Sequence, residues 1–305
     1  MRRKNLHGGD ERLVRRRLNP LLKTMNLNRR TFLKSTLAAS ASTALASKLS
    51  AAPGTGTDRD YYELRCYKLH AGSRLKTDAN PALLDAYLEH ALLPALNQRG
   101  VKNVGVFTEI NVHKETATST PKPDSPVWVL ISHPTLDSFV SISADLNADP
   151  IVQKEGADYL NAPKANPAFE RIDSWFLRAF AGLPKLELPA FSRNRTPTRV
   201  FELRDYESHS ELKALNKMAM FNDGEIALMK DLGMSPVFYG QALAGPDLPH
   251  LRYLTGAVDL ATHFANWKKF GSHPRWVAMK DLSKYADNTS RNTSRFVVPK
   301  TFSQI

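Results

Sequence analysis

The string Tyr62-Glu63-Leu64-Arg65-Cys66-Tyr67 returns 139 positions later as Phe201-Glu202-Leu203-Arg204-Asp205-Tyr206. The segments after each string repeat in the same order: a helical stretch, a stopping glycine, a pair of strands, more helix and a closing strand. Self-similarity at a domain-sized period means two copies of one small fold. The offset falls to 133 at Gly100/Gly233 and to 124 at Leu130/Leu254. A shorter first connection and a tighter hairpin in the second copy would produce that drift.

In the first copy, 61–67 alternates as a strand does. Asn80 caps a helix that starts at Pro81 and carries Leu83, Leu84, Tyr87, Leu88 and Ala91 on one face. Pro94 should kink or end it. Strands are expected over 101–110, 127–132 and 169–180, with a polar loop over 113–126 and helix over 134–159, interrupted at Asp149-Pro150. In the second copy, strands are expected over 200–206, 236–243, 251–256 and 296–302. Helices are expected over 210–232, 259–270 and 274–285. Each copy then has the split β-α-β order of a ferredoxin-like domain. Such a sheet packs helices on one face only, and the other face needs cover. The expected fold is α+β: two ferredoxin-like domains, 58–181 and 198–305, joined by a linker over 182–197. Laid open face to open face, they form an intramolecular α+β barrel.

The formal net charge of +12 suggests a nucleic-acid footprint until it is located. Residues 1–48 hold 12 Lys and Arg against 2 Asp and Glu, which leaves the remainder at +2. The folded body lacks the clustered positive charge that phosphate binding needs, and no nucleic-acid partner is expected. The leader, 1–52, contains Asn28-Arg29-Arg30-Thr31-Phe32-Leu33-Lys34, then a weakly apolar run, then Ala44-Leu45-Ala46. Arg29 and Arg30 resemble the twin-arginine export consensus, followed by a small-x-small cleavage site. The apolar run is too short and polar for a permanent membrane anchor. The chain is therefore expected in the periplasm or secreted, with the twin-arginine translocase as a partner during export. Met25 precedes this signal as an alternative start. Cys66, the only cysteine, shares a strand face with Tyr62 and Leu64 and reads as a buried thiol.

Glu63, Arg65 and Tyr67 fall on one face of the first strand, as do Glu202, Arg204 and Tyr206 in the second copy. Facing the barrel interior or its rim, they would form structural ion pairs through Glu63 and Glu202, or hold a ligand through the arginines. An aromatic group crowds the second copy. Ligand-binding candidates are thus Arg65, Tyr67, Arg204, Tyr206, Tyr239, His263, Trp267 and Trp276. No histidine pair has metal-ligand spacing, and no nucleotide loop or nucleophile elbow occurs. No metal is expected, no cofactor is selected by any motif, and no catalytic residue stands out.

The aromatic-ELR-x-Tyr strand, the helix ending in glycine, and the Trp267…Phe270…Pro274-Arg275-Trp276 stretch resemble the NIPSNAP family. Copy one departs there and is the more degenerate repeat. The resemblance covers roughly 60–180 and 198–305. It implies membership of the dimeric α+β barrels and says far more about fold than reaction. The expected function is binding of a small organic ligand in the barrel. The alternatives are a cofactor-independent oxygenase or isomerase in the same cavity, and a scaffold with a filled barrel. Fusing both copies in one chain does not forbid further oligomerisation.

Overall fold

The structure, a computed structural model, describes residues 58–70 and 79–305. The leader with Arg29 and Arg30 lies outside them. Among the described residues, nine strands form one antiparallel sheet: β1 (Tyr61–Lys68), β2 (Gly105–His113), β3 (Thr118–Pro121), β4 (Val127–His133), β5 (Arg171–Ala179), β6 (Val200–Glu207), β7 (Pro236–Ala244), β8 (His250–Ala257) and β9 (Arg291–Pro299). Their order is β3-β2-β4-β1-β5-β7-β8-β6-β9, and β2 also pairs with β9. That last pairing closes eight strands into a barrel, which leaves no free edge among them. β3 extends the β2–β4 hairpin outward.

Each copy contributes four strands in ferredoxin-like order, β2-β4-β1-β5 and β7-β8-β6-β9. Two seams join the copies. At one, Leu177 pairs with Ala242 and Ala179 with Gly240; at the other, Thr108 pairs with Val298 and Ile110 with Phe296. Four antiparallel steps separate β1 from β6, so the two ELR strands run in the same direction. Equivalent residues therefore reach the same end of the barrel: Tyr62 with Phe201, Leu64 with Leu203, Cys66 with Asp205.

Both faces of the sheet are buried. Inside, Tyr62, Leu64, Phe107, Trp128, Trp175, Phe201, Phe238 and Leu254 form one apolar core drawn from both copies. Outside, each half packs its own helices, through Leu84, Leu88, Leu92 and Val129 in the first and Met218, Phe221, Tyr239 and Tyr253 in the second.

The first helix does not end at Pro94. It runs α-helical over Pro81–Ala86, widens to a π turn over Tyr87–Leu92 and resumes over Leu93–Gln98. The Leu93 N–H reaches back five residues to the Leu88 carbonyl, so the wide turn absorbs the bond that a proline cannot make. The second copy repeats this at Phe221–Glu225, between Glu211–Met220 and Ile226–Asp231. Both helices stop at a glycine in the left-handed region, Gly100 at φ 78° and Gly233 at φ 75°, where a Cβ would be strained.

Other boundaries also differ from expectation. The polar loop over 113–126 contains β3, whose four residues are all exposed. The second strand starts later, at Gly105. The last strand begins at Arg291 and ends at Pro299, because it pairs along β6 from Phe201 to Glu207. Among the described residues, no helix is long and apolar enough to cross a membrane.

Candidate functional site

The polar triplets do not face the barrel interior. Tyr62, Leu64 and Cys66 do, and Glu63, Arg65 and Tyr67 point to the helix layer. The expected orientation is reversed in both copies. In the first copy, the Arg65 guanidinium grips Glu63 through Nε at 2.6 Å and Nη2 at 2.9 Å. Arg65 Nη1 stands 3.5 Å from the Tyr67 hydroxyl, and His133 Nε2 stands 3.5 Å from Glu63.

In the second copy, Glu202 accepts from Arg204 Nη1 at 3.0 Å, His263 Nε2 at 3.0 Å, Trp267 Nε1 at 2.8 Å and the Ser294 hydroxyl. The Arg204 guanidinium lies 4.5 Å from the Trp267 ring centre, a cation–π contact. His263 and Trp267 come from the helix Leu260–Ser272, capped by Asp259. Burial alone would raise the Glu63 and Glu202 carboxyls. The neighbouring histidine and arginine outweigh it in each case and hold both down at about 2.

The remaining candidates sit in aromatic packing. Tyr206 meets Tyr253 hydroxyl to hydroxyl at 3.1 Å, Tyr239 donates to the Met229 sulfur at 3.0 Å, and the Trp276 ring lies 4.6 Å from Phe270. The structure therefore brings Arg204, Glu202, His263 and Trp267 together. It keeps Arg65 and Tyr67 in their own half and leaves Tyr239 and Trp276 apart from both groups.

A second polar assembly lies at the Cys66 end of the barrel. Asp205 pairs with Arg252 Nε, and with Arg295 Nη1 at 2.6 Å. Glu109 accepts from Trp128 Nε1 at 2.9 Å and Lys122 Nζ at 2.6 Å. The Arg252 guanidinium lies 4.0 Å from the Trp175 ring centre. Trp128 and Trp175 stack at 5.7 Å. An open cleft of about 480 Å³ sits here, with Cys66, Glu109, Trp128, Trp175 and Arg295 among its walls. Both copies supply them.

The Cys66 thiol is pushed up to about 12, by burial first and then by Asp173 and Glu109. It is not a thiolate nucleophile. Burial presses the Arg252 charge down from its usual value, against the pull of Asp205. Arg252 is 2% exposed and its Nη1 has no partner. Among the described residues, no three His, Cys, Asp or Glu side chains converge as a metal site.

Sequence reasoning missed this end. Asp205 was the variable position of the repeated string, and Arg252 sat within the strand sequence Leu251-Arg252-Tyr253-Leu254. The one usable signal was an aspartate in one buried strand and a lone arginine in another, since buried charges need partners.

Residues 201–304 match the NIPSNAP family model. The second repeat is a NIPSNAP domain. Residues 26–46 match the signal sequence of the twin-arginine translocation pathway, so this NIPSNAP-bearing chain is exported, to the periplasm or beyond. No curated protein sequence matches the chain. A NIPSNAP-like domain protein from Burkholderia xenovorans is similar over 35% of this chain and 89% of its own, at 19% identity and a TM-score of 0.32. A NIPSNAP family protein from Agrobacterium tumefaciens aligns over 34% and 96%, at 17% identity and a TM-score of 0.31. Chlorite dismutase from Candidatus Nitrospira defluvii aligns over 80% and 92%, at 8% identity and a TM-score of 0.38.

Proposed function

We propose that this exported protein binds a small organic ligand at the Cys66 end of its barrel. The observation that carries the reading is the cleft of about 480 Å³ walled by interior-facing residues of both copies. Elsewhere the lumen is filled by large side chains, and the Glu-Arg-Tyr triplets pair within the helix layers. A concave site of this size, with the Trp128 and Trp175 indoles set among mostly charged walls, suits a small molecule that carries polar groups. The unreactive Cys66 thiol argues for binding over covalent chemistry there.

The test is native mass spectrometry of the exported protein, alongside thermal melting against a small-molecule panel. A retained mass, or a raised melting temperature that Trp175→Ala abolishes, supports the reading. An empty protein that no compound stabilises overturns it.

A further inference from the structure

We infer that two copies of this chain associate through one apolar face, the helix Glu211–Met220 of each packed against the same helix of the other. Among the described residues, ten large apolar side chains are exposed. Six of them, Leu136, Val140, Leu212, Leu215, Leu243 and Leu248, lie on or beside the seam between β5 and β7, so the exposure is concentrated. Phe139 ties the first two to the seam. It belongs to the same helix, Leu136–Asn147, and stacks at 4.1 Å on Phe176 of β5. Across the seam, Leu215, Leu243 and Leu248 border one groove of about 300 Å³.

The helix Glu211–Met220 is apolar on two sides. Ala214 and Met218 turn into the core of the second half. Leu212, Leu215 and Ala219 face out, at the spacing of three and four residues that makes a second stripe. A surface helix needs only the first. The first copy shows the same element without that stripe. Counted back from Gly100 and Gly233, which lie 133 apart, Leu215 stands where the first copy has Ala82. The second copy's helix also starts a turn further out, at Glu211 against Pro81. Leu212 sits on that added turn, 76% exposed. The fold does not require these leucines, because the equivalent helix packs without them.

The area fits a dimer. The exposed fractions of the six side chains amount to about three whole residues, roughly 500 Å² of apolar surface, at the upper end of what a monomer leaves contiguous. The half-buried rings of Phe139 and Phe176 lie among them. With a polar rim, this is the core of a standard patch of about 800 Å² on each partner.

The face is also complementary to itself. Leu212 is a ridge, and the groove beside it is about twice the 150 Å³ that holds a benzene ring in a protein core. In a two-fold contact both copies present the same patch. The Leu212 ridge of one then enters the groove of the other, and the exchange is reciprocal. One helix supplies both the ridge and, through Ala214 and Leu215, a wall of the groove, which places that helix beside the axis. Glu211 is the one charged residue in the groove's lining. The centre therefore offers no charge pattern for an unlike partner to match, and a second neutral face meets it without repulsion.

The experiment is sedimentation velocity of the exported protein over a wide range of concentration, with Leu212→Glu/Leu215→Glu as the variant. The wild type should sediment as a dimer of the chain. Both changed residues are exposed, so the variant should keep a cooperative melting transition while its dimer dissociation constant rises by about a hundredfold. Cross-linking fixes the face. Cys66 is buried, so a mixture of Leu212→Cys and Leu243→Cys proteins should form the mixed disulfide under mild oxidation. Val277→Cys, exposed away from the seam, should not cross-link.

A chain that is monomeric at every concentration overturns the proposal. So does a dimer that the two glutamates leave intact, or one that Val277→Cys cross-links instead, since it uses another surface. A different protein that co-purifies and is released by Leu212→Glu/Leu215→Glu overturns the second copy as the occupant. The wild-type mass needs no variant, so a folding defect in the double glutamate does not shelter the proposal.

Discussion

Arg65 holds Glu63 with two parallel hydrogen bonds, 2.6 and 2.9 Å, on the helix-covered face of β1. Both groups are shielded, with side-chain exposures of 15% and 7%. Removing one partner of such a pair strands the other charge, which typically costs about 3–5 kcal/mol. Arg65→Met should therefore destabilise the protein by that order, measured by urea unfolding. The double variant Glu63→Leu/Arg65→Met should recover most of the loss, because no charge is then left alone. A double variant as unstable as the single one would mean the pair is not the source of the cost.

Glu63 and Glu202 predict an acid transition. Both carboxyls are held at about 2 in the fold, against about 4.3 for an unperturbed glutamate. A depressed folded pKa contributes stability that is complete above the unfolded value. That stability drains away as pH falls from about 4.3 towards 2. Each group should contribute about 3 kcal/mol at neutral pH. The stability of the wild type relative to Glu63→Gln/Glu202→Gln should be flat from pH 7 to 5 and shrink by a few kcal/mol before pH 2. Denaturant midpoints across that range check it. A difference that stays constant to pH 2 would assign the acid sensitivity elsewhere.

Much of the fold was legible because the repeat fixes topology. Two ferredoxin-like sheets with helices on one face have two open faces to cover, and one chain holds both. The facing of β1 was not legible. Its alternation separates Glu63, Arg65 and Tyr67 from Tyr62, Leu64 and Cys66, yet all but the half-buried Arg65 are buried. Periodicity then tells which residues share a face and not which face is the lumen. Charge misled, since the helices supply His263 and Trp267 to satisfy Glu202 and thus keep the polar face outside. The Asp205–Arg252 pair was hidden for another reason. Its members are 47 residues apart and meet only through the β6–β8 register. β3 escaped notice because Thr118–Pro121 is wholly exposed and shows no apolar alternation.

Cys66 predicts chemical silence. The residue is 6% exposed and its thiol is raised to about 12. At pH 8 almost none is thiolate, the form that alkylates. Native protein should resist iodoacetamide, while protein in 6 M guanidinium should label stoichiometrically. Labelling at equal rates in both states, measured by intact mass, would mean the Cys66 end of the barrel opens readily.

The two seams make the last prediction. The lumen core joins Tyr62, Leu64 and Trp175 from one copy to Phe201, Phe238 and Leu254 from the other. Strand pairs Leu177–Ala242 and Thr108–Val298 lock the copies together on either side. Neither four-stranded sheet covers its inner face alone, and a large exposed apolar face drives association. Separately produced segments 55–185 and 190–305 should each self-associate or aggregate. Co-expressed, they should form a 1:1 complex, because the seams and the shared core supply what each half lacks. Size-exclusion chromatography with light scattering distinguishes the outcomes. Two halves that are each folded, soluble and monomeric at high concentration would show that the lumen core does not depend on both copies.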